Sequence, residues 1–188
     1  MTRIIAGTAG GRRLQTPRGQ ATRPTSDRVR EALFSAIESW AGSLSGLRVL
    51  DLYAGTGAVG LEALSRGAAE ATLVEHDRAT AALIQRNARE LGFATARVVA
   101  GSVRTFLAGA GEPYDLVFLD PPYPLPDEAV DADLAALVDG GWLAPDALVV
   151  VERPGKRSRV TWPEPLGEWR MKKYGESALW YGRAPGAE

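Results

Sequence analysis

From Arg48 to Glu152 the chain alternates short apolar runs rich in β-branched residues with amphipathic helical stretches, and this alternation restricts the fold more than any other feature. Strands are predicted at Arg48–Leu52, Ala71–Glu75, Ala96–Ala100, Tyr114–Leu119 and Ala147–Glu152, and helices at Ala58–Arg66, Arg78–Leu91, Val103–Ala108 and Asp127–Asp139. Strands separated by helices cannot form tight hairpins, so the pattern predicts a mainly parallel sheet covered on both faces, with right-handed crossovers. The rhythm breaks at the end, where Trp169–Tyr174 and Ala178–Tyr181 flank only Gly175-Glu176-Ser177. A terminal antiparallel hairpin follows, and the expected fold class is α/β with a mostly parallel seven-stranded sheet.

Ahead of this body, Arg3–Gly7 and Gly11–Gln15 flank a Gly/Thr turn and read as a small β-hairpin. Pro17, Gly19 and Pro24 punctuate an extended link to Asp27, read as a helix N-cap, after which Val29, Leu33, Ile37 and Trp40 recur at helical spacing. We therefore divide the chain into an extension, residues 1–26, and a main domain, residues 27–188.

Composition excludes several chemistries. With no cysteine there are no disulfides, thiolate nucleophiles or cysteine-held metals, and a single histidine, His76, argues against a histidine metal site. No apolar run is long enough to span a bilayer and no signal-peptide core opens the chain, so no membrane partner and a cytoplasmic address are expected. The net charge of −1 conceals an asymmetry, because residues 1–30 hold seven arginines against one acid, Asp27. Arginine binds phosphate bidentately and stacks on bases, so Arg3, Arg12, Arg13, Arg18, Arg23 and Arg28 are candidate RNA contacts. A solvated basic arm without a partner is the bland alternative.

The first predicted strand runs into Ala54-Gly55-Thr56-Gly57-Ala58-Val59-Gly60, a G-x-G-x-x-G loop between strand and helix, and Glu75 ends the next strand twenty positions beyond Gly55. Together these point to a ribose-bearing cofactor. Asp51, ending the first strand, would repel a pyrophosphate and suits a cation, which disfavours a nicotinamide-dependent oxidoreductase. S-adenosylmethionine offers an ammonium and a sulfonium, with Glu75 positioned to accept from its ribose hydroxyls. His76 beside Glu75 is read as a neighbour of the cofactor, not as a catalytic group.

Two predicted strands later, Tyr114-Asp115-Leu116-Val117-Phe118-Leu119 delivers Asp120-Pro121-Pro122-Tyr123 to the same edge. The prolines stiffen the loop and remove two backbone donors. An exocyclic base amine is a poor nucleophile because its lone pair is delocalised into the ring. Acceptors at the Asp120 carboxylate and Pro121 carbonyl would favour a pyramidal nitrogen, while Tyr123 offers a face on which an extruded base stacks.

The acid-x-x-x-Gly-x-Gly loop from Asp51 resembles that of the class I, Rossmann-like methyltransferases. The resemblance implies a cofactor site formed by Asp51, Tyr53, Ala54, Gly55, Gly57, Glu75 and His76, with adenine near Ser102 and Val103. More narrowly, Arg3-Ile4-Ile5-Ala6-Gly7, Gly11-Arg12-Arg13-Leu14, Thr22-Arg23-Pro24-Thr25, Asp27 to Phe34, Leu61 to Ala68 and the Asp120-Pro121-Pro122-Tyr123 loop resemble the RsmD family of bacterial 16S rRNA guanine-N2 methyltransferases. This implies an enzyme whose partner is 16S rRNA in the small ribosomal subunit or an assembly intermediate; a monomer is expected. DNA amino methylation, glutamine-amide methylation of protein, or rRNA binding without catalysis are the alternatives that the residues leave open.

Overall fold

The computed structural model describes residues 2–18, 25–156 and 158–188. Its elements are α1 (Asp27–Ala41), β1 (Arg48–Leu52), α2 (Ala58–Ser65), β2 (Glu70–Glu75), α3 (Arg78–Glu90), β3 (Ala96–Ala100), α4 (Val103–Leu107), β4 (Tyr114–Leu119), α5 (Asp127–Asp139), β5 (Leu143–Pro154), β6 (Gly167–Tyr174) and β7 (Ser177–Arg183). The strands form one seven-stranded sheet in the order β3-β2-β1-β4-β5-β7-β6, parallel from β3 to β5 and antiparallel at β7 and β6. The strand order reverses between β1 and β4, and open α/β sheets place ligands beyond the carboxyl ends of strands at such a reversal.

Side-chain alternation along the strands builds two cores. Val49, Ala71, Leu73, Leu116, Phe118, Leu148 and Val150 face α1, α2 and α3, whereas Leu50, Leu52, Val74, Val117, Leu119, Val149 and Val151 face α4 and α5. The same parity carries to the strand ends. Asp51, Glu75, Asp120 and Glu152 fall in phase with the first set, so all four acids leave the sheet on the face of α1 to α3.

Three expectations are corrected. The N-cap of α1 is Ser26, whose Oγ accepts from the Val29 N–H at 3.2 Å, and Asp27 is the first helical residue. The N-terminal hairpin is shorter than expected: Arg3 lies opposite Arg13, with Ile4, Gly11 and Leu14 donating to the carbonyls of Arg12, Ile4 and Thr2, while the backbone of Ile5, Ala6, Thr8 and Ala9 bonds helix α2 instead of extending the ladder. Strand β5 begins at Leu143, earlier than its apolar run, with a register shift opposite Tyr114 to Leu116 and Asp146 at φ +63°.

The N-terminal segment is seated on the main body through specific polar contacts. Glu62 of α2, fully buried, accepts from the backbone of Ile5 at 2.8 Å and Ala6 at 3.0 Å, and from Arg66 at 2.8 Å. Ser65 donates to the Ala6 carbonyl and accepts from the Ala9 N–H. On α3, the Asn87 amide pairs both ways with the Gln15 backbone. Ile4, Ala9 and Leu14 enter the core.

Candidate active site

Strand β1 ends on Asp51, whose Oδ2 accepts from the Gly60 N–H in the first turn of α2 at 2.9 Å. That bond ties the strand end to the helix that follows the glycine loop. A Cβ at Gly60 would meet Leu73 Cδ2 at 2.6 Å and Asp51 Oδ2 at 3.2 Å, so only glycine lets α2 approach the sheet this closely. Gly57 caps α2 in the left-handed region at φ +80°. Burial pushes the Asp51 carboxyl up to about 8, the Gly60 N–H opposing and the charge of Glu75 reinforcing the shift.

Glu75 closes the loop from the neighbouring strand, accepting from the Gly55 N–H at 2.8 Å and the Asp77 N–H at 3.1 Å. His76 is exposed, with Nδ1 3.3 Å from Glu75 Oε1. Tyr53 takes φ +59°, and its hydroxyl donates to Asp133 of α5, fastening the loop to the opposite helical layer. Burial, then the bonded Asp133, raises the Tyr53 hydroxyl well above the phenol range. Ala54 is buried and donates to the Val74 carbonyl. A Cβ at Gly55 or Gly101 would meet open space, so the backbone after β1 and β3 is accessible from outside. At its far side the Ser102 hydroxyl caps α4, accepting from the Thr105 N–H at 3.0 Å, and Val103 opens that helix with its side chain buried.

Asp120 follows β4. Leu119 pairs in register with Val151, so Asp120, just past the end of β4, and Glu152 of β5 each follow a paired residue, and the Thr25 hydroxyl lies 3.4 Å from Asp120 Oδ2 and 3.2 Å from Glu152 Oε2. Burial, then the charge of Glu152, then that of Asp51, holds the Asp120 carboxyl well above the usual carboxylate range. The sequence expectation and the structure therefore converge on one electrostatic neighbourhood containing Asp51 and Asp120. Beside it a groove of about 470 Å³ is lined by Asp120, Tyr123, Glu152, Thr25, Tyr174 and Ser177 among others, with Tyr123 exposed at its rim.

The loop is held from below by Arg153, which is buried. Its guanidinium donates to the carbonyls of Leu125 at 2.7 Å and Pro122 at 3.5 Å and to Asp127 at 3.0 Å. The Pro122 carbonyl also accepts from the Leu125 N–H, closing a turn around Tyr123. Pro121 is buried and Pro122 exposed.

Sequence reasoning missed Thr25, Glu152 and Arg153. Glu152 carried a readable signal, an acid closing an apolar strand as at Asp51, Glu75 and Asp120, and Thr25 lay in one of the blocks that carry the family resemblance but had no assigned role, whereas Arg153 carried none. The basic segment also needs correction, because Arg30 is wholly buried between Asp27 at 2.6 Å and Glu62 at 3.7 Å and cannot meet a partner. Arg3, Arg12, Arg13, Arg18 and Arg28 are exposed, although Arg3 pairs with Asp27 and Arg12 with the Glu90 carbonyl, and Arg23 lies outside the described residues. Among the described residues no acid or histidine group could hold a metal, and no helix is long and apolar enough to cross a membrane.

Residues 2–183 match the family model described as conserved hypothetical protein 95. Ribosomal RNA small subunit methyltransferase D of Escherichia coli K12 is 42% identical over 94% of this chain and 86% of its own length. The Haemophilus influenzae protein of the same name is 35% identical over 91% of this chain and 86% of its own. The solved structure of yhhF from Escherichia coli superposes with a TM-score of 0.86 at 41% identity, covering 98% of both chains. With both the sheet and nearly the full length matched, the chain belongs to the RsmD family, whose fold is that of the class I methyltransferases.

Proposed function

We propose that this chain transfers a methyl group from S-adenosylmethionine to the exocyclic N2 amine of a guanine in 16S ribosomal RNA. The observation that carries the reading is the placement of Asp120 and Tyr123 on one groove, with Asp51 near enough to act on the Asp120 carboxyl.

The residues present fit the cofactor. A buried carboxylate at Asp51 suits an ammonium, Glu75 offers acceptor oxygens for ribose hydroxyls, and the open space over Gly55 and Gly101 would be filled by any larger side chain. Bound there, S-adenosylmethionine supplies an electrophilic methyl on a sulfonium. Ser102 Oγ is engaged in capping, so recognition of the adenine falls to backbone groups near Val103.

The chain's own residues then prepare the nucleophile. The Asp120 carboxylate and the Pro121 carbonyl accept from the amine and bias its nitrogen toward a pyramidal geometry, while Tyr123 stacks on the extruded ring. Arg153 keeps the loop from shifting as the base enters. The methylated amine is acidic enough to lose its extra proton to water, so Asp120 acts chiefly by accepting hydrogen bonds.

The partner is the small ribosomal subunit or an assembly intermediate, met in the cytoplasm by a monomer. Residues 1–26 serve as the RNA-contacting extension of the domain at 27–188, gripping phosphates through Arg3, Arg12, Arg13, Arg18, Arg23 and Arg28. Incubating the protein with methyl-labelled cofactor and either small subunits, plasmid DNA or a release factor tests the reading. Label confined to 16S rRNA, mapped by mass spectrometry to N2-methylguanosine, is expected; label on DNA or protein instead would refute it.

A further inference from the structure

We propose that the outer strand β6 is a second RNA contact, on which Arg170 and Lys172 take phosphates of the rRNA strand flanking the target base. The inference rests on the rRNA reading above and adds a binding surface formed by the last hairpin of the chain.

The groove itself sets the requirement. Its charged lining residues are Asp120, Glu152 and Glu176, with no cation among the described residues that line it. A neutral base can enter such a space, but the phosphates that carry it are repelled and must stay at the lip, where cations have to meet them.

Strand β6 supplies those cations in register. Glu152 pairs with Leu179 and Leu179 with Lys172, so Lys172 stands in the row of Glu152, two strands out and about 10 Å away at the usual strand spacing. Tyr174 pairs with Ser177, and both line the groove. Residues opposite each other in a ladder share a face. Arg170, Lys172 and Tyr174, opposite Tyr181, Leu179 and Ser177, therefore lie on the face of α1 to α3, where Asp120 and Glu152 also leave the sheet. Arg170 and Lys172 are about 6.8 Å apart along the strand, close to the separation of successive phosphates on an extended RNA chain.

Both cations are exposed, and among the described residues neither pairs with a carboxylate. The Arg170 guanidinium lies 4.4 Å from the centre of the Trp169 ring and 5.3 Å from that of Tyr181, which steadies it while leaving its N–H edge for a phosphate. Lys172 Nζ lies 5.6 Å from the centre of the Tyr174 ring, which places a charge beside the wall of the groove. Cations on an outer strand also guard its unpaired edge against another chain. Lys173, on the other face, serves that task, but guarding gives no reason for two cations to align with the acidic groove.

The test measures binding of the full chain to small ribosomal subunits across a salt series. Arg170→Gln combined with Lys172→Gln should weaken binding by about tenfold or more and flatten the slope of log K against log salt by about 1.4, two phosphate contacts at about 0.7 each. Arg170→Lys with Lys172→Arg, which keeps both charges, should retain the wild-type slope. A pair of equal charge elsewhere on the surface, Arg97→Gln with Arg104→Gln, should bind like the wild type. Calorimetric binding of S-adenosylhomocysteine and light scattering report that each variant is folded and keeps the wild-type oligomeric state. An unchanged affinity and slope in the β6 glutamine variant, an equal loss in the Arg97 and Arg104 variant, or a loss that comes only with self-association overturns the role of β6 and leaves the rRNA reading intact. A wild type that binds the cofactor product but not small subunits overturns the rRNA reading, and the role of β6 falls with it.

Discussion

Arg153 donates to the carbonyl of Leu125 at 2.7 Å across the base of the Asp120-Pro121-Pro122-Tyr123 loop, so the end of β5 fixes the shape of the loop that follows β4. The same guanidinium reaches Pro122 and Asp127, which ties the loop to the first turn of α5 as well. Arg153→Met should therefore lower kcat by about 10- to 100-fold with little change in affinity for S-adenosylhomocysteine, since a loop displaced by even an ångström misplaces the amine. Single-turnover rates and calorimetry on the same preparation separate the two. Equal loss of both would mean that Arg153 supports the whole sheet edge instead.

Asp120→Ala should keep cofactor binding and reduce methyl transfer by about 100- to 1,000-fold, the range seen when one preorganised electrostatic group is removed. Tritium transfer to 16S rRNA at near wild-type rate would displace Asp120 from the reaction centre. Because Asp120 must accept hydrogen bonds as the carboxylate and is held above the usual carboxylate range, activity should climb with pH past the point where an ordinary aspartate is fully ionised.

A buried Asp51 that titrates near about 8 is partly protonated at neutral pH in the free protein, whereas an ammonium ligand favours its carboxylate. Binding of S-adenosylhomocysteine should release protons and tighten by up to about tenfold per pH unit as pH rises toward 8, above which an α-amino group of pKa about 7.7–8.0 begins to lose its own charge. Calorimetry in two buffers of different ionisation enthalpy counts the protons. A profile that Asp51→Asn does not flatten would assign the linkage elsewhere.

The same group sets a stability trend of definite sign. Its folded pKa lies above the unfolded value, so its contribution is fully present below about pH 4 and is lost as pH rises through about 8. Asp51→Asn in the free protein should match the wild type at low pH and gain on it across that window, by at most about 6 kcal/mol. Urea melts at several pH values measure the difference, and a gap that shrinks as pH rises would contradict the assignment.

Glu62→Ala should cost about 3–5 kcal/mol, because it removes the buried acceptor of two backbone donors of the N-terminal segment and of Arg66, and leaves the buried Arg30 with Asp27 as its one carboxylate. Limited trypsinolysis should then cut at Arg12 or Arg13 well before the main domain, while the intact protein resists. Deleting the segment is the poorer test of RNA binding, since it also removes Ile4, Leu14 and Thr25. Reversing Arg12 and Arg13 to glutamate should instead weaken binding to small subunits by about tenfold or more and lower its salt dependence, with cofactor affinity unchanged.

The residue pattern was enough for the strands and the parallel class of the sheet, though not for its strand order, because each parallel strand is an apolar run too short for a helix and each crossover carries helical periodicity. It also determined where chemistry collects, since Asp51, Glu75 and Asp120 close such runs and period two puts them on one face. Glu152 obeys the same rule and was legible in principle, but an acid at a strand end gains meaning only when its neighbour is known. That the neighbour is Asp120 depends on β4 pairing with β5 in register, a long-range fact that no local pattern encodes. Tertiary structure alone decided that Thr25 reaches this pair from the start of α1, that Arg153 turns under the loop, and that Arg30 is buried against Glu62 and is no part of a basic surface. The physical reason is common to all three: a polar side chain takes its role from the partner that satisfies it, and these partners lie on other elements.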